Sequence, residues 1–95
     1  MGSYTIYYES SYPTTTVGST YTTGTLSESI TTGAGGTAYG TSTVTFTSSA
    51  TYYAILVDNS SQVVAVDTYG SSVTATSIST SQSATNGSID YSIIG

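Results

Sequence analysis

The sequence predicts an all-β protein: a single antiparallel β-sandwich of seven to eight short strands in an immunoglobulin-like layout. Three observations predict it. Ser and Thr make up 40 of 95 residues, and the apolar remainder is mostly Tyr, Val and Ile, types that favour strands and oppose helix. Apolar residues recur at period two, and no segment combines helical spacing with caps. Turn chemistry recurs at short intervals: Gly33-Ala34-Gly35-Gly36, Asp58-Asn59-Ser60-Ser61, Gly70-Ser71 and Asn86-Gly87, the spacing of a small sandwich.

The first strand is expected at Ser3–Glu9, with Tyr4, Ile6 and Tyr8 on one face and Thr5 and Tyr7 on the other. Tyr12-Pro13 then breaks the chain, because proline cannot donate a ladder bond and holds its predecessor extended. This divides the sequence into an N-terminal extended segment, 1–12, and a sandwich domain, 13–95. An alternating strand before a break suits a donor strand that completes another subunit's sheet. An ordinary first strand with proline in its following loop is the commoner source of the same pattern. Further strands are expected at 14–23 (a hydroxyl-rich edge broken at Gly18), 25–32, 41–48, 51–58, 62–69, 72–80 and 88–94. Val44 and Phe46 alternate with Thr43, Thr45 and Thr47, and Ile89, Tyr91 and Ile93 alternate with Asp90 and Ser92. Each of these patterns predicts one buried face.

The hairpin YYAILVDNSSQVVAVDTYG, 52–70, is different because it is apolar on both faces. Tyr53, Ile55 and Val57 share one face of its first strand and Tyr52, Ala54 and Leu56 the other. In its second strand Val64 and Val66 are expected on one face, with Val63, Ala65 and Tyr69 opposite. Both faces need cover. A neighbouring subunit is expected to supply the second, with Tyr53, Ile55, Val57, Val64 and Val66 forming an acceptor groove for Tyr4, Ile6 and Tyr8.

Charge narrows the function. There are five acids, no Lys or Arg, no His and no Cys. No cation is available for phosphate or anionic lipid, so neither nucleic acid nor membrane insertion is expected. Triads built on His or Cys and lysine bases are excluded. Glu9, Glu28, Asp58, Asp67 and Asp90 are scattered, so no catalytic pair, metal site or cofactor is expected. A small domain without disulfide or metal relies on association. Edge strands lack the lysines that normally block edge pairing, so either the edges are paired in a polymer or loops and glycans shield them. Asn59 and Asn86 both lie in N-glycosylation sequons within expected turns. The first residues show no signal-peptide pattern, which leaves the export route open.

SYTIYYESSYP, TSTVTFTSS and the two-sided hairpin together resemble the small Ser/Thr/Tyr-rich β-sandwich subunits of extracellular filaments, particularly archaeal ones assembled by donor-strand complementation. The resemblance implies a non-enzymatic, cell-surface structural subunit that forms a pilus-like homopolymer by strand exchange. Two other readings stay open: an adhesion or carbohydrate-binding β module, and a virion structural protein or cross-β fibre.

Overall fold

A computed structural model describes residues 2–11, 13–24, 26–33, 36–44, 52–68, 77–80 and 90–94. These hold seven strands: β1 (Ser3–Glu9), β2 (Leu26–Thr31), β3 (Ala38–Thr41), β4 (Tyr53–Asp58), β5 (Val63–Thr68), β6 (Ser77–Thr80) and β7 (Asp90–Ile94). All pairings are antiparallel. One sheet runs in the order β2-β1-β4-β5, and the other β3-β7-β6. The expected all-β antiparallel class holds. Phe46, Ile89, Asn86, Tyr69 and the Gly70-Ser71 turn lie outside the described residues.

The main core lies between the two sheets. Ile6, Tyr8, Ile30, Ala54, Leu56 and Ala65 of the larger sheet share one cluster with Ile78 and Ile93 of the smaller. Ile6, Ile30, Leu56, Ile78 and Ile93 are buried here, and the buried phenol of Tyr8 supplies further area. Burial raises the pKa of that hydroxyl above the usual tyrosine range, although the neighbouring Ser42 hydroxyl acts in the opposite direction.

The structure corrects several expectations. The hairpin supplies one inner strand and one edge strand to its sheet. β1 and β4 are the inner strands, and β5 is an edge. Within the hairpin, Leu56 pairs with Ala65 but Val57 pairs with Val63, so Val64 is an extra residue on the β5 side. A one-residue bulge resets the alternation of a strand. Val63 and Val66 therefore lie with Ile55 and Val57, while Val64 packs on the main core. Residues 14–23 form no named strand, only a bridge from Thr20 to Gln62. The strand expected over 41–48 is instead Ala38–Thr41, and 45–48 lie outside the described residues. Gly40 lies within β3, where the Tyr91 ring lies over it. A Cβ there would sit 2.8 Å from the Tyr91 hydroxyl, so the aromatic does the covering that glycine cannot.

Candidate functional site

The geometry around β1 is the most developed feature of the molecule. β1 lies between β2, which has no other partner in the sheet, and β4, which also pairs with β5. Its partners run from Ser3↔Thr31 to Tyr8↔Leu26 on β2, and from Tyr4↔Asp58 to Glu9↔Tyr53 on β4. Residues 1–12, read from sequence as a segment apart, thus contribute an inner strand to the sheet of the same chain. Tyr4, Ile6 and Tyr8 share the core-facing side as expected. Ile6 and Tyr8 are both 0% exposed, and Tyr4 packs at the margin.

The start of the strand is held by Thr32, a buried hydroxyl just beyond β2. The Thr32 N–H donates to the Gly2 carbonyl at 2.8 Å, and the Gly2 N–H donates to Thr32 Oγ1 at 2.8 Å. This double bond pattern fixes the β1–β2 register at its open end.

The five residues expected to form an acceptor groove do not share one face. Ile55 and Val57 are 0% and 2% exposed on the outer face of the sheet, together with Val63 and half-buried Val66. Val64 is on the opposite face, and Tyr53 is half-buried opposite Glu9. The slot that β1 fills is instead flanked by β2 and β4, and its floor is Ile30, Ala54, Leu56, Ile78 and Ile93.

The outer face was expected to need a neighbouring subunit. It is covered by the chain's own residues 13–24, which cross it as a strap. Gly18, at φ +92°, turns the strap, a conformation open to glycine without strain. The Gly18 N–H donates to the Val63 carbonyl, Val63 N–H to the Ser19 carbonyl, and Tyr21 N–H to the Ser61 carbonyl, all at 2.8–2.9 Å. Tyr21 then reaches β1. Its ring meets Tyr7 edge-on at 5.1 Å between centroids, and its hydroxyl donates to Glu9 Oε2 at 2.5 Å. The Tyr7 hydroxyl donates to the Thr22 carbonyl at 3.2 Å. Burial, then the bond to Glu9 and its negative charge, push the Tyr21 pKa up to about 12. Gly24 permits the close approach, since a Cβ there would lie 2.8 Å from both Tyr7 Cδ1 and Glu9 Oε2. The sequence signal for this strap was a hydroxyl-rich run interrupted by Gly18, which reads equally well as a poor edge strand.

The carboxylates occupy separate structural posts. Asp58 Oδ1 accepts from the N–H groups of Ser60 and Gln62 at 2.8 and 3.0 Å, the expected Asx turn. Glu28 accepts from Thr43 N–H, and Asp90 from the Thr41 hydroxyl. Asp67 pairs in the ladder opposite Ala54. No group of three or more potential metal ligands converges among the described residues, and none of the helix there is long and apolar enough to span a membrane. Asn59 is exposed at the tip of the hairpin turn. An open cleft of about 520 Å³ lies where the strap leaves β1, lined by Glu9, Ser11, Pro13, Thr14, Thr15, Thr20 and Tyr21. No family model matches the chain, no curated protein matches its sequence, and no solved structure matches it.

Proposed function

We propose that the protein is a non-enzymatic structural subunit that assembles into an extracellular, pilus-like filament by exchanging its first strand between copies. The reading takes the two antiparallel sheets as an immunoglobulin-like sandwich. The observation that carries it is the position of β1 between β2 and β4. Remove that strand and the sheet splits into two edges with an apolar floor between them, the arrangement that strand addition repairs. A copy of the same segment from a neighbour makes the same bonds, because strand exchange preserves the interface and changes only which chain supplies it. Tyr4, Ile6 and Tyr8 are the inserted side chains. Asn59, exposed at a turn, is available for a glycan.

The test uses the absence of cysteine from the chain. Thr5 and Ser29 are direct cross-strand partners, at a Cα separation that a disulfide spans. A chain carrying Thr5→Cys and Ser29→Cys, oxidised after assembly, should run on a non-reducing gel as a ladder of covalent multimers. Negative-stain images of the same sample should show filaments. Monomers closed on themselves, in a sample without filaments, would overturn the reading.

The cleft between strap and β1 favours a second reading, a carbohydrate-binding module. Its hydroxyls, carboxylate and Tyr21 suit a neutral sugar better than an anion or an apolar ligand, since no lining residue is cationic. Saturation of Tyr21 resonances by neutral oligosaccharides, with the protein monomeric throughout, would favour that reading over the first.

A further inference from the structure

We propose that the strap is an outer clasp: in the assembled state Tyr21 and Thr22 of one copy recognise Tyr7 and Glu9 on the first strand of a second copy. The inference rests on the strand-exchange reading and adds to it a second recognition face. The strap belongs to the accepting body. From Gly18 onward it is tied to β5 and the preceding turn by backbone bonds at Gly18, Ser19 and Tyr21. Those bonds persist whichever copy supplies β1. The strap touches β1 through side chains: the Tyr7–Tyr21 ring contact, the Tyr7 hydroxyl on the Thr22 carbonyl, and the Tyr21 hydroxyl on Glu9. Residues 10–17 form the link from β1 to the tied part of the strap, and an extended link of that length reaches about 27 Å.

The slot is thereby walled on both sides. Any strand with apolar residues at alternate positions satisfies the floor, since burial is not directional. The clasp demands more: a phenol and a carboxylate two residues apart on the opposite face. A hydrogen bond to a charged group is stronger and more particular than a neutral one. A chain without lysine gatekeepers has reason to need this, because an unselective slot would take up any exposed apolar strand.

The experiment mixes two full-length chains, one carrying Thr5→Cys as donor and one carrying Ser29→Cys as acceptor, refolds them together, and measures the mixed disulfide by mass. Glu9→Ala in the donor, or Tyr21→Phe in the acceptor, is expected to lower the yield about three- to tenfold, the weight of one such bond. Both together should lower it no further than either alone, since they remove the same bond. If Glu9→Ala loses the β signal in circular dichroism, Glu9→Gln replaces it, with a smaller fall expected. Unchanged yields, or losses that multiply, would overturn the clasp while leaving strand exchange standing. A parent pair that gives no mixed disulfide, while a chain bearing both cysteines closes on itself, would remove strand exchange and the clasp with it.

Discussion

The two faces of the larger sheet are buried by different means. Toward the smaller sheet, Ile6, Leu56 and the ring of Tyr8 meet the aliphatic side chains of Ile78 and Ile93. On the opposite face, Ile55, Val57 and Val63 pack with half-buried Tyr7 and Val66 and with Tyr21 of the irregular strap. The chain has only seven Val, seven Ile and two Leu, too few to build a second interior of the first kind. The strap shows that a hydroxyl-rich segment can cover apolar surface when its own backbone groups are bonded to the neighbouring strand. Both faces remove apolar area from water, and the second adds a few directed contacts from the strap.

The largest expected effect tests the first face. Ile6→Ala leaves a cavity in a fully buried site and should cost about 2–5 kcal/mol in urea unfolding. A loss below that range would show that this face is no better packed than the other. Gly24→Ala should come next, at about 1–3 kcal/mol as an overpacking change. The added methyl meets Tyr7 close to its backbone, and the strap must lift. Quenching of Tyr fluorescence by iodide would report that lifting, and unchanged quenching would contradict it.

Alkali should separate the faces further. The Tyr21 pKa stands at about 12, above the usual value near 10. Its contribution is fully present below pH 10 and is lost as pH rises through 12, because the unfolded chain gives up that proton first. Tyr8 and Tyr91 are raised as well, both chiefly by burial and Tyr91 also by the charge of Glu28, so they act in the same direction. Melting temperature should fall between pH 10 and 12, and less steeply in Tyr21→Phe. Equal slopes would show that the strap tyrosine does not contribute. Asp58→Ala removes an acceptor shared by two turn N–H groups and should cost about 1 kcal/mol, with filaments still forming. Salt should do least. With no cation in any side chain, raising ionic strength screens only weak repulsion among carboxylates, so assembly should change little between low and 0.5 M salt.

Much of the large sheet was legible because its signals are local. Period-two alternation located Ser3–Glu9 and the inward side of Tyr4, Ile6 and Tyr8, and Asp58 marked its turn correctly. What failed depends on partners distant in sequence. The bulge at Val64 arises from how β5 meets β4, and it moved one of the expected groove residues to the other face. The strap was the largest miss. Alternating Thr residues look alike whether they lie in an edge strand or in a bonded irregular crossing, and only the Val63, Ser61 and Glu9 contacts distinguish the two. The apolar surplus of the hairpin was read correctly as a need for cover, but its source lay in the same chain.

The order of strands in the larger sheet also governs how the protein is made. During synthesis β1 emerges before β4, yet Tyr4 must pair with Asp58. β1 therefore waits while the ribosome adds the strap, β2, β3 and most of the hairpin. On the strand-exchange proposal, once the slot exists the waiting strand of the same chain and those of neighbours compete to fill it. A tethered strand presents an effective concentration in the millimolar range. Crowded subunits at a growing tip reach comparable values, whereas dilute ones do not. On that proposal, dilution during folding would favour closed monomers and crowding would favour polymer, and the rate of delivery would decide between them.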